Sequence, residues 1–349
     1  MTLFFVTDRA GAHVSRFDAL LEALASDYEF VAVTYGPDGE PSATVAGVQC
    51  ESWDAVRGEL AAEDSIVVSG PLDTVSAHLE GGDFWHVGIS FATDVMVTAA
   101  QDVDHLIRLR SVVASLDVVV TDNHATENAL ISVGATPEKI LRIPWGPDFA
   151  LPHSTTTRSD YGWPDDRRII LYPRSLDPHY DPDVFVDALA QVATRIPDVL
   201  AVFVEAGSLV SEIKHSLLSK GLSESALFEP LREPEVFRSM MSLADVVVVT
   251  PRTDGTSVTV MDAMAQGIPV VSSLTAGSAE WVVEGITGWT FPVGSASALA
   301  DAIERAVTVN EDHKALITDQ AKRLVQAKAG WEASSLRLEE RIRGLLVGR

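Results

Sequence analysis

Two aspartates, an arginine and a histidine are the side chains of this sequence best suited to handling a phosphorylated ligand. Asp254 and Asp262 bracket the segment DGTSVTVMD, which follows an apolar, β-branched run at residues 246–250. Such a run marks a strand buried on both faces. Thr256 or Ser257 supplies an N-cap oxygen for the helix behind it, Met261, Met264 and Ala265 recur at helical spacing, and Gly267 ahead of Pro269 closes it. A helix that starts at the carboxyl end of a parallel strand offers free N–H groups and a partial positive charge, which suits a phosphate or diphosphate. Gly255, Thr256 and Ser257 therefore read as the ligand-facing start of that helix. Asp254 stands in the loop above the strand, while Asp262 lies about two turns into the helix, where it can accept hydrogen bonds from hydroxyls further along the same ligand. Hydroxyls beside a diphosphate describe a nucleotide sugar.

A second apolar run, at residues 168–172, ends in Pro173-Arg174-Ser175-Leu176-Asp177-Pro178-His179-Tyr180. Arginine is planar, permanently charged and forks onto two phosphate oxygens, so Arg174 is the expected diphosphate clamp. His179, with a reference pKa of about 6.5, is only partly charged near neutrality. In the first half, Asp94 follows the run at residues 86–90. A carboxylate there can orient or deprotonate an acceptor hydroxyl, or simply cap the segment that follows. Gly11, in the loop after the first strand, lets backbone approach a ligand closely or serves turn geometry alone.

Two sheets are needed to position these groups. The chain has 349 residues, more than one core usually serves, and 46% of them are hydrophobic, enough for two substantial cores. Strand patterns at residues 3–7, 30–34, 65–69, 86–90 and 118–121 alternate with helical ones, and the pattern resumes at 168–172, 199–205, 226–229 and 246–250. Strands alternating with helices imply doubly wound parallel sheets. A formal charge of −24, from 50 acids against 26 bases, argues against nucleic acid and anionic membrane surfaces as partners. Cys50 is the single cysteine, so no internal disulfide forms and a reducing compartment fits. No apolar run reaches the roughly 18 residues that span a bilayer, and the N-terminus leads directly into a strand, so a cytoplasmic location is expected. His78, His86, His105 and His124 lack metal-ligand spacing, and no metal is assigned.

The stretch DGTSVTVMDAMAQGIPVV, followed by Thr275-Ala276-Gly277-Ser278-Ala279-Glu280 and Glu284-Gly285-Ile286-Thr287-Gly288-Trp289, resembles the signature of retaining glycosyltransferase family 4. The resemblance implies a GT-B fold: two Rossmann-like doubly wound domains facing a cleft, with a C-terminal helix crossing back to the first. The boundaries expected are 1–150 for an acceptor-side domain, 151–328 for a nucleotide-sugar-binding domain and 329–349 for the crossing helix, which Trp331 leads. The activity implied is retaining, metal-independent transfer of a sugar from a nucleoside diphosphate sugar, UDP-linked before GDP-linked, to a hydroxyl acceptor, soluble before lipid-linked. No cofactor is implied beyond the donor. In the family pattern two glutamates stand where this chain has Asp254 and Asp262; the second usually holds the nucleotide ribose and the first touches the donor sugar. A lysine stands where this chain has His179. By that comparison the two aspartates imply altered donor selectivity first and lost activity second, and His179 implies weaker or pH-dependent stabilisation of the leaving phosphate. By the same resemblance Arg174 clamps the diphosphate, the backbone near Leu231 reads the base, the Gly11 loop faces the donor and Asp94 serves the acceptor side. A non-catalytic nucleotide-sugar-binding protein and a GT-B-fold nucleotide-sugar epimerase would use the same donor site and stay open as alternatives.

Overall fold

The structure is a computed structural model that describes residues 2–8, 29–35, 44–45, 48–49, 51–52, 56, 65–79, 84–98, 102–144, 146–147, 156–232 and 234–347. Gly11 and Cys50 lie outside the described residues. The chain divides into two units, Met1–Trp145 with Glu332–Arg349, and Gly146–Trp331.

The first unit is built on strands β1 (Thr2–Asp8), β2 (Glu29–Tyr35), a short antiparallel pair β3 (Thr44–Val45) and β4 (Val48–Gln49), then β5 (Glu51–Ser52), β6 (Ser65–Gly70), β7 (Trp85–Ile89), β8 (Val118–Thr121) and β9 (Ile140–Arg142). Seven of them form a parallel sheet in the order β5-β2-β1-β6-β7-β8-β9. Unbroken apolar runs make its centre: every residue of β6 and β8 is buried, as a sheet covered on both faces requires. Helices α1 (Val103–Ser115) and α2 (His124–Val133) follow β7 and β8, capped at their starts by the Asp102 and Asn123 side chains. Gly134, at φ 115°, ends α2 where the sequence places its stop.

The second unit carries β10 (Arg168–Tyr172), helix α3 (Pro182–Arg195), β11 (Val199–Glu205), α4 (Val210–Ser219), β12 (Ala226–Pro230), α5 (Pro234–Met241), β13 (Val246–Val249), α6 (Val258–Gln266), β14 (Val270–Ser273), β15 (Trp289–Phe291), α7 (Ala296–Thr308) and α8 (Glu311–Lys328). Its six strands are all parallel, in the order β12-β11-β10-β13-β14-β15. Successive residues of a strand point to opposite faces. Accordingly Ile170, Tyr172 and Val248 join Phe185 and Leu189 of α3 in one core, while Ile169, Leu171, Val247 and Val249 join Met261 and Met264 of α6 in the other.

The last helix, α9 (Trp331–Val347), belongs to the first unit from Glu332 onward. There Ser334 Oγ donates to Pro144 O at 2.8 Å, and Leu338 and Ile342 are fully buried. Leu336, which a count of leucines along the sequence of this helix places on the same apolar side, is 51% exposed. Positions four apart share a helix face, whereas positions two apart do not, so burying Leu338 and Ile342 turns Leu336 outward.

Candidate active site

In the second unit the strand order reverses between β10 and β13, and doubly wound sheets bind ligands beyond the carboxyl ends of the strands at such a switch point. The loop after β10 brings Arg174, His179 and Tyr180 to this place. The loop after β13 brings Asp254 to Ser257. The two loops are tied together beneath the site. Tyr172 Oη, from the end of β10, and Thr250 Oγ1, just past β13, both donate to the carbonyl of Tyr180, at 2.8 and 2.5 Å. Burial raises the Tyr172 hydroxyl's pKa, so it stays protonated and remains a donor. Arg252 adds a backbone bond, N to His179 O at 3.1 Å, and its guanidinium lies 3.2 Å from the Asp181 carboxylate. Asp181, at φ 49° and ψ 51°, occupies the left-handed region that non-glycine residues rarely enter. Strain of this kind persists where surrounding bonds over-determine the backbone, as they do here.

Arg174 is the centre of the arrangement. Its Nη2 lies 3.4 Å from Asp254 Oδ2, and its Nη1 lies 3.5 Å from Ser257 Oγ and 3.4 Å from Thr259 Oγ1. The guanidinium carbon sits 4.0 Å from the centre of the Tyr180 ring. Burial of the arginine works against its charge, but Asp254, Tyr180 and Tyr172 outweigh that, and its pKa shifts upward. Arg174 is therefore a fixed positive charge. His179 stands beside it, half-buried, edge-on to Tyr180 with ring centres 5.0 Å apart. Burial lowers the His179 pKa, Asp254 raises it and Arg174 lowers it further; the net shift is downward, leaving the imidazole neutral at pH 7.

The start of α6 forms the other side. Ser257 is its N-cap, accepting from Val260 N at 3.5 Å, and Gly267 closes the helix at φ 75°. Asp254, Gly255, Thr256 and Ser257 are thus gathered at one helix N-terminus, with Arg174 against them. Asp262 lies within the same helix and is buried. A further loop fixes the first from behind. Ser273 Oγ donates to Pro251 O at 2.7 Å, Thr275 and Ser278 bond each other's backbone N–H, and Gly277 lies so close that a Cβ there would meet Gly255 O at 2.0 Å. Leu231, one residue past β12, is 67% exposed.

In the first unit Asp94 is buried, and both oxygens are engaged: Oδ1 accepts from Ser90 Oγ at 2.8 Å and Oδ2 from Leu72 N at 3.0 Å. Its carboxylate joins the loop after β7 to the turn after β6, and burial raises its pKa to about 6. Nearby His86 shares a 2.7 Å hydrogen bond with Ser69 Oγ, and burial lowers its pKa to about 4. Among the described residues no group of three or more His, Cys, Asp or Glu side chains is arranged to hold a metal ion. No helix among them is long and apolar enough to cross a membrane.

The sequence profile of the family "Glycosyl transferases group 1" matches residues 153–323, the whole switch-point site included. Residues 153–323 belong to the group 1 glycosyltransferases. It is 24% identical over 234 residues to a D-inositol 3-phosphate glycosyltransferase of Corynebacterium aurimucosum, covering 64% of this chain and 55% of that protein. It is 28% identical over 189 residues to a lipopolysaccharide 1,2-N-acetylglucosaminetransferase of Salmonella typhimurium, covering 51% of this chain and 49% of that one. The chain thus spans about half the length of the curated relatives it matches. Among solved structures, HepE of Anabaena in complex with UDP and glucose superposes with a TM-score of 0.83 at 17% identity, over 99% of this chain and all of that one. Sucrose-phosphate synthase of Thermosynechococcus elongatus gives 0.83 at 19% identity, over the full length of both. At such identities the likeness speaks for the fold, which is GT-B, as the resemblance implied.

Of the residues predicted from the sequence, Arg174, His179, Asp254, Gly255, Thr256 and Ser257 come together at one place, and Asp262 lies in the helix that starts there. Asp94 belongs to the other unit. Three further residues of the site were not singled out from the sequence. Tyr180 was quoted only as the end of the arginine loop, Gly277 only as part of the glycine loop, and Thr259 only as part of the signature. Thr259 had a local signal, since a hydroxyl in the first turn of a helix faces the same N-terminus as the cap.

Proposed function

We propose that this glycosyltransferase moves a sugar from a nucleoside diphosphate sugar, UDP-linked before GDP-linked, to a hydroxyl of an acceptor, with retention of anomeric configuration and without a metal ion. One observation carries the reading: a partly buried guanidinium, a helix N-terminus and a carboxylate converge at a sheet switch point. Charge that builds on the departing diphosphate meets Arg174 and the N–H groups of Gly255 to Ser257, donors fixed in place before the reaction. Asp254 is assigned to the donor sugar and Asp262 to hydroxyls further along the donor. The backbone beside Leu231 is assigned to the base. Asp94 is assigned to shaping the acceptor-side loop, since both of its oxygens already accept hydrogen bonds. A double displacement would need a carboxylate nucleophile beneath the anomeric carbon, and front-face substitution, with the leaving phosphate taking the acceptor proton, asks for none.

The test is a panel of UDP-, GDP- and ADP-sugars incubated with the protein, with and without cell-extract acceptors, while free nucleoside diphosphate is measured. Release that depends on an acceptor supports transfer. Tight binding with no release from any donor overturns it in favour of a non-catalytic nucleotide-sugar-binding protein, and conversion of one nucleotide sugar into its epimer overturns it in favour of an epimerase.

A further inference from the structure

Within its own loop the ring of Tyr180 packs only edge-on against His179 among the described aromatic contacts. What anchors residues 179–181 is backbone: the Tyr180 carbonyl takes hydrogen bonds from Tyr172 and Thr250, and the His179 carbonyl takes one from Arg252 N. The side chain is left to lie against the guanidinium of Arg174, 4.0 Å from ring centre to carbon. Arg174's contacts with Asp254, Ser257 and Thr259 are long, 3.4 to 3.5 Å, so these three hold the fork loosely. An arginine side chain carries large rotamer entropy, and any ligand that uses it must order it.

From this packing we infer that Tyr180 is a positioning residue for donor binding: its ring holds the Arg174 guanidinium ready for a diphosphate, acting through the arginine and not on the ligand. The inference rests on the donor-site reading above. It assigns a role to a side chain for a physical reason, since a π face attracts a partly desolvated cation without itself consuming the N–H groups at the edge of the fork. The left-handed backbone at Asp181 is what turns the chain into α3 directly after the ring is set.

The experiment measures binding of UDP, GDP and ADP to the full chain by calorimetry, taking the tightest as probe. Four variants are compared with the parent: Arg174→Ala, Tyr180→Phe, Tyr180→Leu and the double variant Arg174→Ala with Tyr180→Leu. A cation–π contact of ordinary strength predicts a loss of about three- to thirty-fold for Tyr180→Leu. Tyr180→Phe keeps the π face and should stay within about threefold of the parent. On the Arg174→Ala background, Tyr180→Leu should have no further effect, because the residue it serves is gone. Parent-like affinity in Tyr180→Leu overturns the inference, and so does a loss that persists in full on the Arg174→Ala background, which marks a general packing defect. Unchanged affinity in Arg174→Ala overturns the donor-site reading itself and the inference with it.

Discussion

Gly277 offers the sharpest perturbation of the site that touches none of its polar groups. Its own backbone, at φ −74° and ψ −42°, is ordinary for any residue, so alanine there meets no conformational objection. The obstacle is contact. A Cβ on Gly277 would lie 2.0 Å from Gly255 O and 2.6 Å from Asp254 O. Carbon and oxygen settle near van der Waals separation, so the 254–255 loop must withdraw by roughly 1 Å. Overpacking of this kind costs about 1–3 kcal/mol of stability, and a shift of about 1 Å in a catalytic constellation costs on the order of a hundredfold in rate. Gly277→Ala should therefore melt a few degrees lower and lose nucleoside diphosphate affinity and turnover together. Gly267→Ala is the control. That glycine ends α6 at φ 75° with nothing within 4 Å of its would-be Cβ, so alanine brings only left-handed strain of about 1 kcal/mol and leaves the helix start alone. Thermal unfolding and calorimetric titration of both variants decide the matter. If Gly277→Ala binds as the parent does, or if Gly267→Ala weakens binding equally, the loop behind Asp254 is not what fixes the site.

Two pH predictions follow from buried groups. Asp94, raised from 3.8 to about 6, favours folding below its unfolded pKa, and that contribution is lost as pH rises through about 6; His86, lowered from 6.5 to about 4, favours folding above 6.5 and loses its contribution as pH falls through about 4. Each effect is on the order of 3 kcal/mol and the two oppose one another between pH 4 and 6, so Asp94→Asn should gain stability relative to the parent as pH rises across that window; a constant difference in melting temperature would count against it. His179→Lys exchanges a neutral imidazole for a permanent charge beside Arg174, so at pH 7 it should bind nucleoside diphosphate several-fold tighter than the parent, with the gap closing as acid protonates His179 in the parent. Equal affinities at neutral pH would mean that position 179 does not face the phosphates.

Much of the fold is legible in the chain because a strand buried on both faces must be apolar throughout. Residues 118–121, 168–172 and 199–205 fold with the bounds their composition suggests, and Gly134 and Gly267 stop helices for the reason glycine usually does. The two-residue β5 carries no such pattern, and the apolar side of α9 is misread at Leu336 because a leucine count ignores the turn of the helix. In the site, the legible part is what lies along one segment: the Ser257 cap, Asp254 in its loop, Asp262 in its helix. What passes between segments leaves no periodicity. The stack of Tyr180 on Arg174 is local in sequence yet depends on a carbonyl held by Thr250, some seventy residues later. The close approach of Gly277 to Gly255 requires two loops in register across β13 and β14. Asp94 shows a further limit, because its type and position are equally compatible with a surface base and with the buried clamp it forms.

The departures from the family pattern act on one another through charge. Around the switch point each arginine already has a carboxylate: Arg174 is 3.4 Å from Asp254 and Arg252 is 3.2 Å from Asp181, while burial keeps His179 uncharged. The cluster is thus close to neutral, where the family's lysine would leave it positive. A diphosphate entering this cluster competes with Asp254 for Arg174, and a charge-assisted bidentate contact is the stronger partner than an ion pair stretched to 3.4 Å. On the donor-site reading proposed above, the exchange would release the carboxylate as the donor arrives. On that reading the shorter acid and the uncharged histidine form one compensated change: weaker attraction for diphosphate would be matched by an acid that the diphosphate itself sets loose, coupling donor binding to sugar recognition.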